Sequence, residues 1–312
     1  MTEIVDLNLP SNLEKVNYPL FDAFQVNVYL KRDDLIHSEI SGNKWRKLKL
    51  NLEKFKLGKY EQLLTFGGAY SNHISATAAL GRILHIPTIG IIRGDELTPS
   101  SNQTLQKAAQ DGMELIFVNR EEYSWRYETE YKNQLREKFG NVLVIEEGGA
   151  NFYGMMGCTE IVSEIPFQPD YYVLPAGTGT TASGILFATE TSPVIAIAAS
   201  NDVEGILDEI SSLLEYAGLT EEEAADKLAM LTLTSEFTFG GYGKTSPELI
   251  TFINDFYSLT EIKLDQVYTG KMMYGLCEFI KTCKIAAGTT VVAVHTGGLQ
   301  GTNSISNQLL FL

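Results

Sequence analysis

Short apolar runs alternate with helix-patterned stretches along most of the chain. Runs rich in Val, Ile and Leu at Val26–Leu30, Leu63–Phe66, Thr88–Ile92, Glu114–Val118, Val142–Ile145, Tyr171–Leu174, Val194–Ala198 and Val291–Val294 predict strands. Several are apolar throughout, as parallel strands covered on both faces require. Between them the spacing predicts helices over Asn72–Leu84, Ser101–Asp111, Tyr123–Phe139, Tyr153–Ile165, Thr181–Glu190, Val203–Ala217, Ser246–Tyr257 and Thr269–Cys283. Strand–helix alternation of this kind means βαβ units and an α/β fold. No repeat of solenoid period is visible and no low-complexity linker divides the chain. The Glu146-Glu147-Gly148-Gly149-Ala150-Asn151 segment reads as a loop and a lobe boundary, and Thr220-Glu221-Glu222-Glu223 as the capped start of a surface helix.

Composition narrows the partners. The 312 residues are too many for one small core and imply one large domain or two lobes. A net charge of -15 argues against nucleic acid and against an anionic membrane surface. No apolar run reaches membrane-spanning length, and Met1-Thr2-Glu3-Ile4-Val5-Asp6 lacks the basic start of a signal peptide. Cys158, Cys277 and Cys283, odd in number and without CxxC spacing, suit reduced thiols in a cytoplasm.

Against that acidity, Ser41-Gly42-Asn43-Lys44-Trp45-Arg46-Lys47-Leu48 stands out. Ser41 is a plausible N-cap there, and Gly42 lets another backbone or a ligand approach. Lys44 and Lys47 are three apart on one helix face. They are either a solvated basic turn, or one carries a covalent cofactor or acts as a base while the other meets an anion.

In open α/β sheets ligands sit beyond the carboxyl ends of strands. Three post-strand loops therefore matter, and beside them two segments that set tyrosine near glycine. Phe66-Gly67-Gly68-Ala69-Tyr70-Ser71-Asn72-His73 opens a helix that Ser71 or Asn72 can cap. Pro175-Ala176-Gly177-Thr178-Gly179-Thr180-Thr181-Ala182 has the small residues, hydroxyls and helix start of a phosphate cradle. It lacks the Gly-Lys-Ser/Thr of a P-loop and matches the dinucleotide fingerprint only loosely. Val294-His295-Thr296-Gly297-Gly298 is a close-approach turn after the last strand. Val267-Tyr268-Thr269-Gly270-Lys271 and Phe239-Gly240-Gly241-Tyr242-Gly243-Lys244 set tyrosines near glycine and lysine, as acids or as packing. A monophosphate, a reactive lysine and hydroxyl partners together suit pyridoxal phosphate.

The set resembles the 1-aminocyclopropane-1-carboxylate deaminase/D-cysteine desulfhydrase family of pyridoxal-phosphate enzymes. Its motifs run in family order from Lys31-Arg32-Asp33-Asp34-Leu35 through Ser41–Leu48, Gly67–His73, Gly177–Thr181 and Val267–Lys271 to His295-x-Gly297-Gly298. The resemblance implies the two-lobed tryptophan synthase β-like fold, each lobe an open, mainly parallel sheet with helices on both faces. Residues 1–50 and 150–312 would form the large cofactor-binding lobe, and 51–149 the small one. It implies a lyase acting on a small amino acid, a homodimer and a cytoplasmic location. Lys44 would hold the cofactor covalently and then act as base. Lys47 would lie near the phosphate, which Gly177, Thr178, Gly179, Thr180 and Thr181 would wrap. Asn72 would bond the ring hydroxyl, Ser71 would sit over the substrate, and Tyr242 and Tyr268 would be the active-site tyrosines.

Thr269 and Thr296 stand where the cyclopropane-opening branch has Glu and Leu, which is the pattern of the desulfhydrase branch; both would contact the cofactor, Thr296 at the pyridine nitrogen. No metal-ligand set is implied. The sequence departs from the family at Ile74-Ser75-Ala76-Thr77, in place of an Arg-Gln pair, and at Lys244-Thr245, in place of Val-Pro. The expected reaction is α,β-elimination from D-cysteine to pyruvate, ammonia and hydrogen sulfide. Its rivals are the cyclopropane deaminase, a nonenzymatic binder of a phosphorylated metabolite and, more weakly, a dehydrogenase using the Gly177 loop.

Overall fold

A computed structural model describes residues 5–40 and 42–311, without the side chains of 303 and 304. Among these residues ten strands form two sheets: β1 Leu13–Lys15, β2 Asn27–Lys31, β3 Gln62–Gly67, β4 Thr88–Arg93, β5 Glu114–Val118, β6 Val142–Ile145, β7 Tyr171–Ala176, β8 Val194–Ala198, β9 Leu231–Thr234 and β10 Thr290–Val294. The order is β1-β2-β10-β7-β8-β9 in one sheet and β5-β4-β3-β6 in the other. Every pairing is parallel except β1 with β2. The fold is α/β, with helices on both faces of each sheet. The all-buried patterns of β6 and β8 are those of parallel strands covered on both sides.

Two strands lie outside the sequence expectation, and both are edges. β1 has three residues, too few for a periodicity. β9 reads Leu-Thr-Leu-Thr and is half-exposed. The helix expected over Tyr123–Phe139 is broken at Trp125–Tyr127. There Arg126 Nε donates to Glu147 Oε2 at 2.7 Å while its guanidinium stacks on Tyr123 and Tyr127. A tertiary ion pair thus overrides local propensity. The helix expected over Tyr153–Ile165 divides at Thr159, whose hydroxyl bonds the Met156 carbonyl at 2.7 Å.

The Asn43–Leu57 helix does most to position the site. Leu48, Leu52 and Phe55 pack it into a core with Leu63, Ala79, Leu80 and Leu143. On its other flank the Phe152–Cys158 helix comes so close that a Cβ on Gly157 would sit 1.9 Å from the Arg46 carbonyl oxygen. Gly42, with φ 67° and ψ -148°, holds the N-cap position, and no side chain caps it. Ser41, the expected cap, lies outside the described residues. The three cysteines are unpaired. Among the described residues no helix is long and apolar enough to cross a membrane.

Candidate active site

The loops after the strands converge on the start of the Asn43–Leu57 helix. Gly42 abuts the β10 turn: a Cβ there would meet Thr296 O at 1.9 Å, and Asn43 N donates to the same oxygen at 3.3 Å. Asn43 Nδ2 donates to Thr181 Oγ1 at 2.9 Å, tying the helix to the loop after β7. Lys47 Nζ donates to Gly148 O at 3.2 Å. A Cβ on Gly149 would touch both Lys47 and the His73 ring, and one on Gly148 would touch Thr178. The Glu146–Asn151 loop, read from the sequence as a lobe boundary, is therefore also a wall of the site.

The three cations of the basic stretch have divided roles. Arg46 is fully buried and donates to Asp33 and Glu164, which Lys31 and Ser11 also reach. This ionic cluster clamps the helix beneath its neighbours. Lys44 is half-buried, and among the described residues its Nζ has no hydrogen-bond or ion-pair partner. Desolvation, reinforced by the Lys47 charge, holds its pKa well below the usual lysine value. The Lys44 amine is therefore unpaired, with its charged form disfavoured. Burial also lowers Lys47. His73, fully buried with both ring nitrogens unpartnered, is held neutral by burial and by these two lysines.

The helix Thr180–Ala188 starts at Gly179, φ 79°, with no side-chain cap. Its first N–H groups are free for an anion. Thr178 Oγ1 and Thr180 Oγ1 lie 2.8 Å apart at the same mouth. Gly177 makes room for the Tyr268 ring, since a Cβ would come within 3.1 Å of it. The Tyr268 and Tyr242 hydroxyls are 3.0 Å apart, and burial raises both pKa values, so both phenols stay protonated near neutrality.

Ser71, not Asn72, caps the Asn72–Leu84 helix, accepting from Ile74 N at 3.3 Å. Asn72 Nδ2 lies beside Gly298 and Asp265, 3.1 to 3.2 Å from where a Gly298 Cβ would be. Asp265, which sequence reasoning passed over, organises the turn before Tyr268. It accepts from the N–H groups of Val267, Tyr268 and Thr269 and from the Thr269 hydroxyl. Thr269 also accepts from Asp265 N, so its hydroxyl is spent within this turn. The Thr296 hydroxyl, by contrast, makes no hydrogen bond among the described residues. A cavity of about 280 Å³ opens beside Asn72, lined also by Asp34, Ser75 and Lys107.

Two mainly parallel sheets, an unpaired, half-buried lysine and an uncapped helix start with paired hydroxyls define a class: a fold that holds a phosphorylated cofactor against an amine. The chain belongs to the family described as "Pyridoxal-phosphate dependent enzyme", whose model matches residues 10–297. Over 322 aligned residues it is 31% identical to a Thermotoga maritima protein provisionally named 1-aminocyclopropane-1-carboxylate deaminase, covering 98% of this chain and 99% of that one. It is 29% identical to the Arabidopsis thaliana mitochondrial bifunctional D-cysteine desulfhydrase/1-aminocyclopropane-1-carboxylate deaminase, covering 94% of this chain and 77% of that one. A solved structure of a deaminase homologue superposes with a TM-score of 0.80 at 26% identity, covering 98% of this chain and 96% of that one.

The protein is a pyridoxal-phosphate-dependent enzyme, and the residues present fit that cofactor. The Lys44 amine is unpartnered and the helix start is uncapped. The buried Asn43 Oδ1 and both His73 nitrogens lack partners among the described residues.

Proposed function

We propose that the enzyme catalyses α,β-elimination from a small amino acid, with D-cysteine the first candidate, yielding pyruvate, ammonia and hydrogen sulfide. Lys44 is the residue to which pyridoxal phosphate would be joined. Gly177–Thr181, with Lys47, would hold its phosphate, and Asn72 and Thr296 its ring. Bound there, the cofactor supplies an electron sink for the pair released at Cα. Lys44, whose charged form desolvation disfavours, accepts the α-proton at Nζ. Tyr268, kept protonated by burial and paired with Tyr242, donates a proton to the departing thiolate. Ser71, at the start of the Asn72–Leu84 helix, would lie beside the substrate, whose carboxylate the free N–H groups there would receive. The released enamine takes up water, giving pyruvate and ammonia.

One observation carries the choice of substrate class. The Asp265 carboxylate is consumed by four donors within its own turn, which leaves the neutral Thr296 hydroxyl as the unspent polar group of the β10 turn. A hydroxyl strengthens the sink less than a carboxylate would. Expulsion of thiolate from Cβ needs the weaker sink; opening an unactivated ring that has no α-proton needs the stronger.

The test is pyruvate release from D-cysteine by the holoenzyme, set beside 2-oxobutanoate release from 1-aminocyclopropane-1-carboxylate. Turnover of D-cysteine alone is expected. Turnover of the cyclopropane substrate alone refutes the argument from Thr296 and leaves the deaminase reading in its place.

A further inference from the structure

Lys271 is a buried cation with no role in the chemistry above. It lies at the third position of the Thr269–Lys281 helix and is fully buried. Both facts are locally unfavourable: the helix dipole disfavours a cation in the first turn, and lysines are rarely buried unpaired. Among the described residues no carboxylate lies within ion-pair distance of its Nζ. The ammonium instead spends its three protons on backbone carbonyls: Thr238 O at 2.8 Å, Gly241 O at 2.9 Å and Ala199 O at 3.3 Å.

The three carbonyls come from different segments. Ala199 follows β8, whereas Thr238 and Gly241 belong to the turn after β9. That turn supports itself poorly. Phe239, Gly240, Gly241 and Gly243 all have positive φ. Its polar ties are Thr238 N to Ser235 O at 3.4 Å, Gly241 N to Thr238 O at 3.1 Å, Lys244 N to Gly241 O at 3.2 Å and Thr238 Oγ1 to Asn201 at 2.7 Å, beside the packing of the Phe239 ring on Tyr274. Yet it presents Tyr242, whose hydroxyl meets that of Tyr268 at 3.0 Å. Tyr268 immediately precedes the helix that carries Lys271. One ammonium therefore links both tyrosine-bearing segments to the end of β8.

A single positive charge surrounded by carbonyl oxygens, with no anion, has the ligand set of a dehydrated monovalent cation. We propose that Lys271 is a tethered monovalent cation, a positioning residue that holds the Tyr242 turn against Tyr268 by occupying a carbonyl cage suited to potassium or ammonium. Its effect on turnover rests on the proposed role of the two tyrosines; its effect on the turn does not. Shortening the side chain in Lys271→Ala leaves the cage without its charge but with room for a free ion. Lys271→Met keeps the stem volume and removes only the charge.

The experiment compares wild-type, Lys271→Ala and Lys271→Met holoenzymes in KCl, NH4Cl and tetramethylammonium chloride at equal ionic strength. Melting temperature and turnover are both recorded. In tetramethylammonium chloride, Lys271→Ala should lose at least tenfold in kcat, with KM changed less. KCl or NH4Cl should raise its melting temperature and restore kcat severalfold along a saturable curve. Lys271→Met, whose stem fills the space, should be rescued less, and the wild type should not respond. Three results overturn the proposal: failure of Lys271→Ala to gain stability or turnover in KCl or NH4Cl, including failure to fold in any of the three salts; equal gains in all three salts; and a potassium-dependent wild type. If the wild-type enzyme turns over no D-cysteine, the proposed function fails while the melting series still judges Lys271.

Discussion

Replacing Gly42 with alanine separates two costs that usually arrive together. The first is conformational. Gly42 has φ +67°, where an L side chain costs roughly 1–2 kcal/mol. The second is steric. The new Cβ would lie 1.9 Å from Thr296 O and 2.7 Å from Gly297 N, both backbone atoms that cannot rotate away. Restoring ordinary contact, near ~3.5 Å, requires the helix start and the β10 turn to part by about 1.5 Å. Lys44 is two residues from the clash and Thr296 is the clash itself, so the Lys44 amine and the Thr296 hydroxyl separate directly. A misplacement of ~1 Å at a reacting group costs on the order of 10²-fold in rate.

Gly140 supplies the control. It has φ +77° and nothing within 4 Å of a Cβ, so Gly140→Ala carries the strain without the clash. Gly140→Ala should lower stability by ~1 kcal/mol and leave kcat/KM unchanged. Gly42→Ala should lose about 100-fold in kcat/KM, with weaker cofactor retention, at a stability at least as low. The assays are thermal melting, cofactor absorbance after gel filtration and pyruvate release. If Gly42→Ala keeps kcat/KM within threefold of wild type and melts with Gly140→Ala, the close approach of helix and turn does not place Lys44, and the reasoning fails.

Lys44→Ala should abolish turnover and remove the cofactor adduct that borohydride otherwise traps; mass mapping of the reduced peptide tests both statements. Tyr268→Phe removes one hydroxyl from a phenol pair without emptying space, so kcat should fall by roughly 10²–10⁴ while cofactor absorbance is kept. Arg46→Met leaves the buried Asp33 carboxylate without its ion-pair partner and Glu164 with Lys31 alone, and denaturant unfolding should show a loss of about 3–5 kcal/mol. Glu164 gives a pH test. Hydrogen bonds and charges from Arg46 and Lys31, outweighing desolvation, lower its pKa to about 2. A depressed carboxylate stabilises the fold above its unfolded value near ~4.3 and loses that contribution as pH falls toward the folded one. After allowance for partial solvent screening, ~2 kcal/mol should disappear between about pH 4.5 and 2, and Glu164→Gln should flatten that part of the stability–pH curve.

What could be read from the chain and what could not divide along a physical line. Strands covered on both faces announce themselves as apolar runs, and their boundaries, such as Glu114–Val118, Val142–Ile145 and Val194–Ala198, coincide with the expected ones. Edge strands carry no such pattern, because half their surface is free, and β1 and β9 passed unseen. The loops after β3, β7 and β10 were legible because each sits directly after a readable strand. The functions of single side chains were less so. Lys44, Arg46 and Lys47 look alike in sequence, and only burial among Asp33, Glu164 and Lys31 turns Arg46 into structure while Lys44 is left unpaired. Thr269 reads as a cofactor contact, yet its hydroxyl is consumed by Asp265, an ordinary acidic residue four positions earlier. Lys271 reads as one more lysine beside a tyrosine until three carbonyls from distant segments are seen to close on it. In each case the property that decides the role is the identity of the hydrogen-bond partner. Those partners lie up to 118 residues away in the chain, as for Arg46 and Glu164. Local pattern specifies the scaffold here, and long-range polar pairing decides which of its charged residues remain available for chemistry.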